Sequence, residues 1–206
     1  MTKKILVLNG NPKSSSYDHH LTDVYEIEAN EYFEVKRFNL ADMVFDPSLN
    51  TGYNAVQALE PCLADFQKAI LWADHIVIVT PIWWGGIPAK LKGLFDRAFL
   101  PGFAFKYEGD NLLPTQLLTG KTARIIVTMD APADYAIEQA DPALKQLDLY
   151  TLQFCGYEKA EVNLFGSVIS ASKEEKKRWE KQVKAISYSG SYPRVDACKG
   201  EVNHRQ

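Results

Sequence analysis

The chain has 206 residues, 46% of them apolar and 24% charged, which reads as one soluble globular unit at about 100–200 residues per domain. Twenty-three basic side chains against 26 acidic ones leave a net charge of −3, which argues against a nucleic-acid-binding surface and against wholesale disorder. The charge is uneven: residues 173–206 carry nine Lys/Arg and five Asp/Glu, read as a solvated helix and tail or as a surface for an anionic partner.

In chain order, Lys4 to Leu8 reads as a first strand, and residues 18–30 as a helix. Phe33 to Phe38 reads as a more amphipathic strand, Pro61 to Trp72 as a helix and His75 to Thr80 as a third strand. A helix over 88–99, a fourth strand over Ala123 to Thr128, a helix over Pro142 to Phe154, a weaker fifth strand over 160–165 and a helix over 172–186 complete the series. Strands one, three and four are nearly unbroken apolar runs, as strands covered on both faces are. Strict alternation of strand and helix predicts an α/β fold, a doubly wound parallel sheet of five strands in flavodoxin-like order 2-1-3-4-5. In that order the ligand crevice opens at the carboxyl ends of strands one and three.

The expected domain runs over 1–190, followed by a loosely held tail over 191–206. Residues 100–118 are too long and too aromatic for a routine connection, and loops of that kind are usually functional or interfacial. Cys62, Cys155 and Cys198 stand far apart with no CxxC, which suits a reducing compartment. The N-terminus reaches an apolar run of four residues and then Asn-Gly-Asn-Pro, too short for a signal peptide, and no segment approaches the ~20 apolar residues of a membrane span. A cytoplasmic protein without membrane insertion is expected.

Three loops carry the chemistry. After strand one, Asn9-Gly10-Asn11-Pro12-Lys13-Ser14-Ser15-Ser16-Tyr17-Asp18 places a glycine, hydroxyls and a lysine before a helix N-terminus, where free N–H groups and the helix dipole favour phosphate. Serines before a helix serve equally as N-caps. Neither GxGxxG nor GxxxxGK[ST] occurs, so a dinucleotide fingerprint and an NTPase P-loop are unsupported. After strand three, Thr80-Pro81-Ile82-Trp83-Trp84-Gly85-Gly86 offers aromatic surface and open backbone to a flat ligand, or covers a hydrophobic edge. A phosphate loop beside an aromatic slot describes a pocket for flavin mononucleotide. After strand four, Thr128-Met129-Asp130-Ala131-Pro132-Ala133-Asp134-Tyr135 forms a third wall, with the Tyr135 phenol as a proton or hydrogen-bond donor. A nucleophile elbow, an HExxH motif and an EF-hand loop are all missing, so hydrolase chemistry and a metal site are not expected.

Residues 81–99, continued by Pro101-Gly102-Phe103-Ala104-Phe105, resemble the signature of the NAD(P)H:quinone oxidoreductase (DT-diaphorase) family, in its small bacterial-type form. Asn11-Pro12 through Asp18 and Phe154-Cys155-Gly156-Tyr157 extend the resemblance over nearly all of residues 3–185. It implies that Asn11, Ser14, Ser16, Tyr17 and Asp18 hold a flavin phosphate. Asp18 stands where the family usually has Asn, so its carboxylate is expected to cap backbone instead. Pro81, Ile82, Trp83, Trp84 and Gly85 would lie along the flavin ring, with Thr128, Met129 and Asp130 at its edge in place of the family's Thr-Gly-Gly. Tyr135 matches a tyrosine of the family's hydride-transfer relay, while the histidine partner is Asp141 here. The aromatic loop of a second subunit lids the substrate site in the family, and Phe105 and Tyr107 occupy the positions of its two tyrosines.

The expected activity is ping-pong hydride transfer from NAD(P)H through FMN, or FAD, to a quinone or related acceptor, in a homodimer. A flavodoxin-type electron carrier and a regulatory flavoprotein subunit of a potassium efflux system are the alternatives.

Overall fold

A computed structural model describes residues 2–109 and 112–188. The expected tail over 191–206, with Cys198, lies outside the described residues. The elements run β1 (Lys4–Asn9), α1 (Tyr17–Ala29), β2 (Glu34–Asn39), a short 3₁₀ turn (Leu40–Asp42), α2 (Pro61–Trp72), β3 (His75–Pro81) and α3 (Ala89–Ala98). They continue with β4 (Phe105–Lys106), β5 (Thr115–Gln116), β6 (Thr122–Thr128), α4 (Ala133–Leu144), a π-helical segment (Lys145–Gln153), β7 (Glu161–Phe165) and α5 (Lys173–Ser187).

Five strands form one parallel sheet in the order β2-β1-β3-β6-β7. The order follows from which residues need cover. Successive side chains on a strand point to opposite faces. Ile5 and Val7 of β1, Val77 and Val79 of β3 and Ile126 of β6 share one core with Leu21 and Tyr25 of α1 and Trp179 and Val183 of α5. Leu6, Leu8, Ile76, Ile78, Ile125 and Val127 enter the other core, with Leu63, Phe66 and Ile70 of α2, Leu91 and Leu94 of α3 and Ala136, Ala140 and Ala143 of α4. Crossover helices on both faces bury a parallel sheet, and its ligand crevice then falls at the carboxyl ends of β1 and β3, where the chain winds in opposite directions.

Two departures from the sequence reading bear on the site. The helix expected to start at Pro142 starts at Ala133, and Pro142 lies inside it. Proline cannot donate to the carbonyl one turn back, and the chain passes into the wider π form three residues later. Residues 133–135 are therefore helical rather than part of a loop wall. The aromatic stretch 100–118 contains a small hairpin in which Phe105 pairs with Gln116 and Lys106 with Thr115.

A strap over residues 43–60 lies across α2 and α3. Arg97, 1% exposed, donates to the Glu60 carboxylate and the Ala58 carbonyl at 2.8 Å each, and also to the Asp46 carbonyl. A Cβ on Gly93 would stand 2.4 Å from the Pro47 Cβ and 2.6 Å from its carbonyl oxygen, so glycine is what lets the strap lie against α3.

Candidate functional site

Beyond the last paired residues of the sheet, the backbone stays zipped. Gly10 N–H donates to Val79 O at 2.7 Å, Ile82 N–H to Thr128 O at 2.9 Å, Met129 N–H to Phe165 O at 3.0 Å and Val168 N–H to Met129 O at 3.1 Å. These bonds hold four strand-end loops edge to edge. They enclose a cavity of about 270 Å³ lined by Asn11, Lys13, Ser16, Tyr17 and Asp18, by Pro81, Ile82 and Trp83, by Thr128, Met129 and Asp130, and by Val168 and Ile169.

The floor of the cavity begins with the α1 N-cap. Ser16 is extended, and its Oγ accepts the His19 N–H at 3.2 Å. An N-cap oxygen in this role leaves its own hydroxyl hydrogen to donate outward, next to the positive end of the helix dipole and the Lys13 ammonium. Phosphate chemistry fits such a donor set.

Asp18, 2% exposed, meets its own backbone N–H and two side chains besides. Its Oδ2 accepts from Asn11 Nδ2 at 2.6 Å, and its Oδ1 accepts from Thr128 Oγ1 at 2.7 Å. One carboxylate thus ties the β1 loop, α1 and the end of β6 together. Burial raises its pKa above the usual carboxylate range, against the opposing pull of these hydrogen bonds and of Lys13. Tyr17 lines the cavity but sends its phenol away from it, to Lys176 O at 3.4 Å, with Trp179 and His20 packed around the ring. Burial and the nearby Glu180 push this phenol up to about 12.

The β3 end turns back on itself. Trp83 N–H donates to Gly86 O at 2.8 Å and Gly86 N–H to Trp83 O at 3.0 Å, with φ of 55° at Trp84 and 69° at Gly85. Positive φ at both central residues is the type I′ turn, which strands the non-glycine Trp84 in the left-handed region at a cost of about 1–3 kcal/mol. Trp83 is half-exposed on the cavity wall, while Trp84 is fully exposed and, like Gly85 and Ser14, is not among the lining residues.

Asp130 also acts as a brace. Its Oδ1 accepts the Ile169 N–H at 2.8 Å, fixing the loop after β7 in which Ser167 has φ of 53°. Val168 and Ile169 were missed in the sequence. The available signal was that their loop follows the carboxyl end of a fifth parallel strand.

Tyr135 sits in the first turn of α4, exposed and outside the cavity lining, its N–H bonded to Pro132 O at 2.9 Å. Asp141, at the position of the family's relay histidine, pairs with Lys145 at 2.8 Å. Phe105 and Tyr107 lie elsewhere, in a second cavity of about 720 Å³ walled by Phe95, Phe99, Tyr150 and Phe154. Phe105 packs edge-on against Phe154 and Tyr107 at 5.2 and 5.9 Å. The larger cavity shares no lining residue with the smaller one and is not at the switch point. The smaller cavity is therefore the candidate site for cofactor chemistry despite its size.

Among the described residues, no group of three or more His, Cys, Asp or Glu side chains is placed to hold a metal ion, and no helix is long and apolar enough to cross a membrane.

A family model described as a flavodoxin-like fold matches residues 3–187. A Haemophilus influenzae protein named as an uncharacterized NAD(P)H oxidoreductase is 35% identical over 137 residues, covering 63% of this chain and 66% of its own length. Human ribosyldihydronicotinamide dehydrogenase [quinone] is 30% identical over 139 residues, covering 63% of this chain and 59% of its own length. The chain thus matches less than two thirds of either relative. A solved structure of an FMN-dependent NADH-azoreductase from Bacillus anthracis, in complex with FMN, shares the fold at 20% identity with a TM-score of 0.70, covering 90% of this chain and 98% of that one.

Proposed function

The chain belongs to the family of flavodoxin-like-fold proteins matched over residues 3–187, and from that premise we propose that it is a flavin-dependent NAD(P)H oxidoreductase acting on quinones or related acceptors. The observation that carries this reading is the convergence of the Ser16-capped α1 N-terminus, the β3 turn and the β6 end on one cavity at the switch point. The names of the Haemophilus and human relatives agree with it in reaction class. FMN is the proposed flavin, with FAD the alternative.

In this reading, Ser16, Lys13 and the loop backbone around Asn11 and Ser14 hold the phosphate, with Tyr17 bracing the loop from α5. Pro81, Ile82 and Trp83 lie along the ring, with Trp84 and Gly85 shaping the turn beyond it; Met129 meets its edge, and the Thr128 hydroxyl faces the phosphate side with Asp18. The bound flavin supplies hydride acceptance from NAD(P)H and hydride donation to the second substrate, which then share one slot in turn. The protein orients both and keeps bulk water from the ring. Tyr135, an exposed phenol in the first turn of α4, is the proposed hydrogen-bond donor to substrate. Phe105 and Tyr107 line a cavity separate from their own chain's site, and in the proposed homodimer they lid the site of the second copy.

Anaerobic titration of the FMN-loaded protein with NADPH tests the proposal. Rapid bleaching of the flavin band, reversed by a quinone, is expected, and parallel double-reciprocal lines should follow in steady state. Flavin that binds but is reduced only sluggishly overturns the reductase reading in favour of an electron carrier, and failure to bind any flavin overturns the cofactor.

A further inference from the structure

A carboxylate lining a cavity built for phosphate is an electrostatic contradiction, and the hydrogen bonds around Asp18 resolve it. Resting on the flavin reading above, we infer that Asp18 is a positioning residue that takes up one proton when a flavin phosphate enters the cavity and thereby turns the Thr128 hydroxyl toward the ligand.

The route of the proton follows from which partners can reverse. The Asn11 amide cannot. Its Oδ1 accepts the Lys13 N–H at 3.0 Å, which fixes Nδ2 toward Asp18 Oδ2 at 2.6 Å. A flip would cost that bond and set two acceptors face to face. Thr128 is free to reverse, because a hydroxyl both donates and accepts. A proton from solvent bonds to Asp18 Oδ1, the Thr128 O–H···Oδ1 bond breaks, and Oδ1–H donates to Thr128 Oγ1 across the same 2.7 Å contact. The Thr128 hydrogen then rotates into the cavity that Thr128 lines, where a phosphate oxygen accepts it. One proton neutralises the buried charge and supplies the anion with a donor.

The surroundings favour this exchange. Asp18 is 2% exposed and already held above the ordinary carboxylate range by burial. Lys13 on the loop is the cation acting on it. Tyr17 and His19 flank it on α1, with the His19 ring engaged by Asn9 at 3.2 Å. Asp130, beyond β6, is occupied with Ile169 N–H, and Lys176 of α5 lies behind the Tyr17 ring. A phosphate monoester is mostly dianionic above its second ionisation near 6, so its arrival beside Asp18 favours the protonated carboxyl.

The test is calorimetric titration of the whole protein with FMN and with riboflavin at pH 8, in two buffers of different ionisation enthalpy. Uptake of up to one proton with FMN and none with riboflavin is expected. Between pH 7 and 9 the FMN Kd should rise by up to tenfold per pH unit while the riboflavin Kd stays flat. Asp18→Asn, whose amide donates to Thr128 permanently, should bind FMN about tenfold or more tighter than the native protein at pH 8, without proton uptake. A native protein that binds FMN without proton uptake overturns the inference and leaves the flavin reading intact. Equal uptake by Asp18→Asn also overturns it, because the proton then resides on the phosphate. If neither FMN nor riboflavin binds, the flavin reading itself falls.

Discussion

His75 should make the fold acid-labile in a defined pH window. It opens β3, in register between Ile5 and Thr122, is 0% exposed, and has its Nδ1 2.7 Å from Thr122 Oγ1. Burial, with positive Lys3 and Arg124 nearby, holds the ring neutral down to about 3, against an ordinary value of 6.5. Between those limits the unfolded chain binds a proton that the native chain refuses, so stability falls as pH falls through the window and is fully present above 6.5. At 1.36 kcal/mol per unit, the loss is about 3 kcal/mol by pH 4.5 and about 5 kcal/mol at the lower limit. Asp18, held above its ordinary range, works with the opposite sign. Its native form keeps a proton that the unfolded chain releases, so its contribution declines as pH rises from 3.8 upward. Urea unfolding followed by tryptophan fluorescence at pH 7, 5.5 and 4.5 on native protein and on His75→Gln isolates the histidine, since Asp18 and the surface carboxylates are common to both. The variant should start less stable at pH 7 and lose about 3 kcal/mol less on the way to pH 4.5. Parallel losses in the two proteins would refute the assignment.

Gly93→Ala should lower stability by about 1–3 kcal/mol, because the new methyl meets the Pro47 backbone rather than a flexible side-chain end; an unchanged Tm would show that the strap yields freely. Arg97→Met should cost about 3–5 kcal/mol in urea unfolding by leaving the Glu60 carboxylate and two carbonyls without their donor. Trp84→Gly should raise Tm by a few degrees, since it releases the strain of φ 55° on a side chain that is fully exposed; a fall in Tm would mean that the indole packs against something. Ser16→Ala should cost about 1 kcal/mol as a lost N-cap and weaken FMN roughly tenfold, as expected for losing one hydrogen bond to a charged group, with riboflavin unaffected. Equal weakening of both ligands would remove Ser16 from the phosphate.

The sheet was legible because its signal is local and redundant. Ile5 to Leu8, Ile76 to Val79 and Ile125 to Val127 are apolar on both pleats, so each must be covered on two faces, and the intervening amphipathic segments supply the cover. The element order then leaves few topologies. The two places where the reading slipped lacked that redundancy. Pro142 carries a start signal at N1 and a break signal in a helix interior, and the small apolar residues Ala136, Ala140 and Ala143 that α4 buries give too weak a stripe to decide between them. Strands of two residues, as at Phe105 and Thr115, are shorter than any period that would reveal them.

The site divides along the same physical line. Its loops were readable because parallel strands bring their carboxyl ends together, so the residues after β1, β3 and β6 share a crevice once the order is known. The inward side chains were not readable, because direction is set by partners remote in sequence. Asp18 meets Thr128 across 110 positions, Tyr17 is drawn to α5 across 159, and Asp130 is taken by Ile169 across 39. All three polar side chains, each named for cofactor contact, therefore spend polar atoms holding the crevice in shape. A carboxylate and a phenol expected to touch ligand are better placed to fix the backbone N–H groups that do. Substitutions at Asp130 and Tyr17 should accordingly move flavin affinity together with local stability, whereas Ser16→Ala separates phosphate from ring.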